Sequence, residues 1–271
     1  SFKDYIDLRL LSLLVESVYN NQTFDAFFRY ANTIGVSQSN FLFKIFNSID
    51  KAPSKIIKIF EEYKKETQEE LWDSEKEMVE YYQKEENYKK LLKGDAGGNL
   101  IYKYKSKNLA MAMPEWIQFL SNILEEMVIE NGRKNLNFSQ NEIETKKKEI
   151  SMLTEYNKNR TWKFLDNKSS NEKVTMESEY DFLNWLKGSD PSPLSNYRLK
   201  NPVKYFFTYS EKQLKERYDQ FRRYGTDINA LSKIVVRIHV ENWFRNVSTN
   251  PNYIKEKINE KRSRTRYAMS N

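Results

Sequence analysis

The most informative absence in this 271-residue sequence is cysteine, of which there is none. Without a thiol, these residues cannot form disulfides, supply a thiolate nucleophile, or hold zinc or an iron–sulfur cluster through sulfur. Histidine occurs once, at His239, whereas a histidine-based metal site needs partners at set spacing. We therefore interpret His239 as a structural or surface residue, and we assign no catalytic, cofactor-binding or metal-ligating residue.

Glycine and proline are also scarce, at 7 and 6 residues, while 39% of the residues are apolar and 14% are aromatic. Few helix breakers among many Lys, Glu and Leu residues favour helices, and the apolar content is too high for a disordered chain. No apolar run approaches the ~20 residues of a membrane-spanning helix, and no signal peptide is visible. We expect no membrane span and a cytoplasmic location. The opening SFKDY lacks methionine, and we expect a longer parent chain.

The sequence predicts a mainly α (α+β) fold, in which a multi-helical domain carries a small two- or three-stranded β-sheet in its C-terminal half. Capping-box spacing after Ser74 and Ser139 marks two helix starts in the first 160 residues. The later stretches TWKFLD, KVTMESEYDFL and YRLKNPVKYFFTYS carry the β-branched and aromatic residues that favour strands.

The two last helices are predicted to begin after Ser210 and Asp227, and the second runs through INALSKIVVRIHVENWF. We divide the chain into a helical region at 1–160 and a small sheet plus C-terminal helices at 161–271. We expect the two parts to pack together as one domain.

Positive charge is concentrated at the C-terminus. The net charge is +7, and residues 254–271 hold six basic residues against two acidic ones, a net +4. Such a tail can bind nucleic acid or an acidic partner electrostatically. The simpler interpretation is a solvated chain end.

Two other motifs interleave basic and aromatic residues as single-strand nucleic-acid surfaces do: YKYKSK at 102–107 and FRRYG at 221–225. Helical periodicity puts Tyr102 and Tyr104 on different faces, which spoils a stacking platform. We therefore favour aromatic residues packed inward with basic residues outside. The pairs Glu61–Glu62, Glu69–Glu70 and Glu125–Glu126 are interpreted as solvated helix faces.

Three long segments carry a resemblance. They are SFKDYIDLRLLSLLVESVYNNQTFDAFFRYANTIG at 1–35, EEYKKETQEELWDSEKEMVEYYQKEENYKKLLKGDAGGNLIYKYKS at 61–106, and FRRYGTDINALSKIVVRIHVENWFR at 221–245. The third contains a Tyr-Gly-x-Asp-x-x-x-Leu-Ser-Lys pattern. Together they resemble the C-terminal region of cobalamin-binding-domain radical SAM proteins.

The resemblance implies a full-length enzyme with a cobalamin-binding domain, a radical SAM barrel and a helical C-terminal region. It also implies a 4Fe-4S cluster, S-adenosylmethionine and cobalamin, none of which maps onto a residue here because the cluster-binding cysteine motif has no counterpart. Residues facing the barrel or its substrate are predicted in the third segment: Arg222, Arg223, Tyr224, Asp227, Ser232, Lys233 and Arg237.

Two functional hypotheses follow. In the first, this chain is an accessory helical domain of a cobalamin-dependent radical SAM enzyme, which shapes or covers the substrate site and is not catalytic alone. In the second, it is a free-standing helical module that binds nucleic acid or an acidic partner through its basic tail. An independent hydrolase or transferase is disfavoured, because no nucleophile–base motif is present.

Overall fold

A computed structural model describes residues 1–93, 97–132, 137–166, 174–189 and 191–251. Within these ranges the chain is mainly helical, and a π-helical turn at Val15–Tyr19 continues its first helix. The α-helices are, in chain order, α1 (Phe2–Leu14), α2 (Asp25–Thr33), α3 (Gln38–Phe46), α4 (Ser54–Glu69), α5 (Glu75–Gln83), α6 (Glu85–Lys93), α7 (Leu100–Met111), α8 (Met113–Asn131), α9 (Gln140–Thr161), α10 (Phe182–Lys187), α11 (Glu211–Tyr224) and α12 (Ile228–Arg237).

Short polar side chains start several of these helices by satisfying backbone N–H groups that have no partner within the helix. The Ser139 hydroxyl accepts from the backbone N–H of Glu142, and the Glu142 carboxylate accepts from the N–H of Ser139, which confirms the predicted capping box. Ser74 accepts in the same way from Glu77. At the start of α12, Asp227 Oδ1 accepts from two backbone N–H groups at 2.9 and 3.0 Å.

The sheet lies in the C-terminal half and is antiparallel, with its three strands in the order β1-β2-β3. They are β1 (Val174–Tyr180), β2 (Arg198–Thr208) and β3 (Asn246–Ser248). Alternate residues of β1 are buried, which is the pattern of a strand with one face on the core. The mainly α fold with a small C-terminal sheet is therefore confirmed, and two of its strands lie where the composition predicted them.

The stretch TWKFLD, predicted as a strand, is instead the end of α9 and a turn. Tertiary contacts explain the difference. Phe164 packs edge-on against Phe244, with ring centroids 4.9 Å apart. Arg245 Nη1 donates to the carbonyl of Trp162 at 2.7 Å. The aromatic residues of this stretch are thus buried by long-range packing and not by a sheet.

The last helix is also shorter than predicted, because α12 ends at Arg237 and the backbone is extended at Ile238. A 3-10 turn, Val240–Trp243, and β3 follow in place of further helix. The break lets the Trp243 ring pack against Phe221, with centroids 5.5 Å apart. His239 lies in this connection with 85% of its side chain exposed, consistent with a surface histidine.

One continuous cluster of buried side chains draws on both predicted regions, 1–160 and 161–271. Its largest members include Trp116 from α8 and Trp185 from α10, both fully buried. Residue 160 itself lies in the last turn of α9. The division of the chain near this point stays a prediction. None of the described helices is both long and apolar enough to cross a bilayer.

Helix α7 joins parts of the chain that are distant in sequence. It packs against α1, α4 and α12. This packing brings the first residues of α7 beside the C-terminal end of α4 and beside α12. The cleft described below lies at that junction.

Candidate functional site

A cleft of about 760 Å³ lies between the end of α4, the helices α5 and α6, the start of α7, and α12. This volume is within the range of small-molecule and cofactor sites. Its walls differ in chemistry, since one is acidic, one aromatic and one basic. The charged and aromatic residues that line it are Glu66, Glu69, Glu70, Trp72, Tyr81, Tyr82, Lys90, Tyr102, Lys103, Lys233 and Arg237.

The aromatic wall is built by the turn before α5 and by the last residues of α5. The Trp72 ring centroid lies 4.9 Å from that of Tyr81 and 6.0 Å from that of Tyr82, and the two tyrosines are 5.1 Å apart. At these separations the rings pack directly on one another. The three rings therefore form one packed aromatic cluster on this side of the cleft.

The negative charge of Glu66, which lines the cleft, is neutralised by an ion pair with Lys103. Lys103 Nζ donates to both carboxylate oxygens of Glu66, at 2.9 and 2.7 Å, and the Tyr104 hydroxyl donates to Glu66 at 2.7 Å. Burial alone would raise the pKa of Glu66, but the hydrogen bonds from Lys103 and Tyr104 outweigh it and leave the pKa below its ordinary value. Glu66 is therefore a fixed anion whose charge is already matched.

Glu70 differs from Glu66 although both face the cleft. It lies at the C-terminal end of α4. Burial raises the pKa of Glu70 above its ordinary value, and the positive charge of Arg9 only partly offsets this effect. Glu70 is thus the easier of the two carboxyls to protonate.

The basic wall is supplied by α12. Lys233 and Arg237 line the cleft one turn apart. The Arg237 guanidinium donates to the carbonyl of Lys233 at 2.9 Å, and its Cζ lies 5.1 Å from the ring centroid of Tyr224. Arg223 lies 5.3 Å from the same ring. Tyr224 therefore orders two guanidinium groups by cation–π contact beside the cleft.

The seven residues predicted from the third segment fall into different environments. Ser232, Lys233 and Arg237 line the cleft, although the Ser232 hydroxyl donates to the carbonyl of Ile228 within its own helix. Arg223 and Tyr224 adjoin the cleft through the ring contacts above. Asp227 caps α12, and Arg222 is exposed outside the cleft lining.

Sequence reasoning missed the aromatic and acidic walls of the cleft. The aromatic wall could have been predicted from local sequence, because Trp72 and the pair Tyr81–Tyr82 lie on either side of the capping residue Ser74. A helix that starts at Ser74 brings these rings to one side of a short turn. Glu66 and Glu70 could not be found in this way, since their partners in the structure come from α7 and α1.

The motif YKYKSK is not a free basic surface. Lys103 pairs with Glu66, Lys105 Nζ lies 2.8 Å from Glu16, and Lys107 Nζ lies 2.6 Å from Glu62. Tyr104 is fully buried, as expected for an inward aromatic residue. The expectation that the basic residues lie outside is wrong for Lys105, whose side chain is only 5% exposed.

Two buried arginines serve a structural purpose near α9. The Arg217 guanidinium donates to the carbonyl of Asp166, and Arg245 donates to the carbonyls of Asn159 and Trp162. Both guanidinium groups lie against the Tyr209 ring, at 4.5 and 5.0 Å from its centroid. Cations at a helix C-terminus stabilise its carbonyl groups, so these residues fix the end of α9.

No protein-family model, curated protein or solved structure matches this chain. Function must therefore be inferred from the cleft and from the sequence resemblance. The basic tail, residues 254–271, and residues 94–96 lie outside the described residues.

Proposed function

We propose that this chain is the helical accessory domain of a cobalamin-dependent radical SAM enzyme, and that its cleft faces the catalytic barrel and the substrate. The barrel and the cobalamin-binding domain of the same protein are its partners in this proposal. The chain itself performs no chemistry and shapes or covers the substrate site.

One observation carries the proposal. The second and third resembling segments, 61–106 and 221–245, are separated by more than a hundred residues, yet every residue that lines the 760 Å³ cleft belongs to one of them. Segments chosen for their likeness to one family thus meet at a single surface.

The chemistry of the cleft suits a covering domain. Its aromatic wall offers a substrate an apolar surface, while Lys233, Arg237 and Glu70 can orient a polar substrate or pair with charges on a facing domain. The 271 residues do not fit a 4Fe-4S cluster, which needs thiolate ligands. In this proposal the cluster, S-adenosylmethionine and cobalamin are held by the other domains.

The test uses the complete product of the gene, purified without oxygen. Iron and sulfide content, cobalamin absorbance and cleavage of S-adenosylmethionine to 5′-deoxyadenosine are measured for the wild type and for Lys233→Glu/Arg237→Glu. We expect cluster and cobalamin in both proteins, and substrate-dependent turnover at least about tenfold lower in the variant. The control is Lys200→Glu/Lys204→Glu, an equal charge change at two exposed residues of β2, which should retain turnover.

A complete product that contains neither cluster nor cobalamin and forms no 5′-deoxyadenosine contradicts the radical SAM assignment. Equal turnover in the cleft variant and the control contradicts the role of the cleft.

The alternative function, binding of nucleic acid or an acidic partner through residues 254–271, rests on their net charge of +4. It stays a prediction, because this tail lies outside the described residues. Its test is the affinity for a single-stranded oligonucleotide across a salt series. Affinity that falls steeply with salt and is lost on deletion of residues 254–271 supports it, and absent or salt-independent binding contradicts it.

A further inference from the structure

The carboxylates that line the cleft are mostly matched by cations of the chain itself. Three glutamates belong to the lining. Glu66 has Lys103 Nζ at 2.7 Å, and Glu69 has Lys65 Nζ at 3.7 Å. Within the described residues, only Glu70 has no lysine or arginine nitrogen this close. Two of the three negative charges of the cleft are therefore already paired.

The cations of the cleft are matched less completely. Lys90, Lys233 and Arg237 line it, and none of them forms an ion pair with a carboxylate of the described residues. Lys90 Nζ donates to the neutral Asn87 Oδ1 at 3.3 Å, and the Arg237 guanidinium donates to a backbone carbonyl. Three positive charges thus face one unpaired carboxylate, Glu70. This surplus attracts an anion, and it suits a phosphate, with about two negative charges, better than a single carboxylate.

One face of α12 presents two of these cations together. Its cleft-lining residues are at positions 229, 232, 233, 236 and 237, which is the spacing of a single helix face. Lys233 and Arg237 are both exposed and lie four residues apart, so their charged ends can reach the same anionic group. The Tyr224 ring, 5.1 Å from Arg237 Cζ, restricts where that guanidinium can lie. Guanidinium groups bind phosphate oxygens in pairs.

The aromatic cluster lines the same cleft. Trp72 and Tyr82 are half-buried and Tyr81 is 37% exposed, so the cluster retains uncovered ring surface. Such surfaces stack on planar rings, and stacking does not select strongly among nucleobases. A volume of about 760 Å³ accommodates one ligand that contacts both the aromatic cluster and α12.

We propose that the cleft binds a free mononucleotide, a ligand that joins a planar ring to a phosphate group. The ring lies on the aromatic cluster, and the phosphate lies against Lys233 and Arg237. This inference deepens the proposed function and rests on it, because it names the chemical class of the molecule held at the substrate-facing cleft.

The experiment is isothermal titration calorimetry on the 271-residue chain with four probes. They are adenosine 5′-monophosphate, adenosine, ribose 5-phosphate and an adenylate hexamer. We expect the monophosphate to bind at least about tenfold more tightly than adenosine or ribose 5-phosphate, because it alone contacts both walls. The hexamer should bind no more tightly than the monophosphate, since its internal phosphates each carry one charge.

Two cleft variants separate the ring from the phosphate. Lys233→Gln/Arg237→Gln should weaken binding of the monophosphate about tenfold and leave the affinity for adenosine unchanged. Trp72→Leu should also weaken binding of the monophosphate about tenfold, but it should leave the affinity for ribose 5-phosphate unchanged.

Matched controls lie outside the cleft. Lys200→Gln/Lys204→Gln removes two exposed charges from β2, and Tyr218→Leu removes an aromatic ring that is 65% exposed on α11. Both should leave the affinity for the monophosphate unchanged. Circular dichroism verifies that every variant retains its helix content.

No binding of the monophosphate at about 1 mM, or equal affinity for it and for ribose 5-phosphate, would overturn the inference. Wild-type affinity in both cleft variants would overturn it as well, since the nucleotide would then bind elsewhere. Tighter binding of the hexamer would replace a free mononucleotide by a nucleic-acid strand. None of these results alters the cluster content or 5′-deoxyadenosine formation of the complete protein, which test the proposed function separately.

Discussion

Two neighbouring regions of this chain, α7 and the α5–α6 hairpin, are both rich in Lys and Tyr, yet their lysines pair in opposite ways. In α7, Lys103, Lys105 and Lys107 pair with glutamates that lie 37, 89 and 45 residues away. In the α5–α6 hairpin, lysines pair within one helix, as Lys76 does with Glu80 and Lys89 with Glu85.

The difference indicates that the sequence separation of the two partners decides whether an ion pair joins different helices or stabilises a single helix. The α7 pairs lie where α1, α4 and α7 pack, and their lysines are 5–26% exposed. They therefore lock the helices in register. The hairpin lysines are 60–85% exposed, and solvent and salt screen their local pairs. Ion pairs between helices are thus concentrated beside the cleft, whereas these hairpin pairs lie within single helices.

The largest effect that would test this contrast is expected for Lys105→Ala. The substitution leaves the Glu16 carboxylate, which is 28% exposed, without the lysine that neutralises it. Breaking a buried pair in this way costs about 2–4 kcal/mol of unfolding free energy. Urea denaturation of the full chain measures it, and Lys105→Met is the control that retains the apolar stem. A loss below about 0.5 kcal/mol in the alanine variant would refute the role of the α7 pairs.

The next effect concerns acid stability. Burial would raise the pKa of Glu66 and of Glu16, but hydrogen bonds from Lys103 and Lys105 respectively, with other contacts, hold both values below the ordinary one. A carboxyl whose folded pKa is depressed contributes stability that is present above its unfolded pKa, about 4.5, and that is lost as pH falls through the folded value.

We therefore expect the unfolding free energy of the wild type to decrease as the pH is lowered below about 4.5. In Glu66→Gln we expect this decrease to be less steep. Urea titrations at several pH values between 3 and 7 give the two slopes. Gln substitution of Glu80, an exposed hairpin residue, serves as the comparison and should leave the slope as in the wild type. Identical slopes in wild type and Glu66→Gln would contradict the ion-pair account.

A smaller effect is expected for the coupling between Lys107 and Glu62. Lys107 is 17% and Glu62 is 38% exposed, so solvent screens this pair more than the Lys105 pair. A double-mutant cycle with alanine at each position should give a coupling of about 1 kcal/mol. The same cycle on Lys65 and Glu69, an exposed pair within α4, should give about 0.3 kcal/mol. Equal couplings in the two cycles would remove the contrast between long-range and local pairs.

The smallest effect is expected in the hairpin itself. Lys76→Ala and Lys89→Ala should each change the unfolding free energy by no more than about 0.5 kcal/mol, because both residues are exposed and pair with a glutamate one turn away in the same helix. Thermal denaturation followed by circular dichroism suffices to measure this. A loss comparable with that of Lys105→Ala would show that the hairpin is part of the rigid frame.

The helix starts could be predicted because their causes are local. Ser139 and Glu142 are three residues apart, and the capping box needs nothing else. The stretch TWKFLD was assigned wrongly, because its aromatic residues suit a strand as well as a buried turn. Its actual conformation depends on Phe244 and Arg245, about eighty residues later in the chain.

The candidate site was predicted in part. The basic wall with Lys233 and Arg237 followed from the third resembling segment, and both residues line the cleft. The opposite walls were missed, because no periodicity within 61–106 indicates that Glu66 meets Lys103 or that Trp72 meets α12 across a cleft. Those contacts need the helices to be packed.

By itself the sequence determined the helical character of the chain, the helix starts at serine and aspartate caps, two of the three strands, and the absence of thiol chemistry. These depend on composition and on interactions within about four residues. Only the tertiary structure decided that Lys105 is buried while Lys76 is exposed, and that 61–106 and 221–245 share one cleft. The reason is physical, because identical side chains differ in burial and charge pairing only after distant helices have come together.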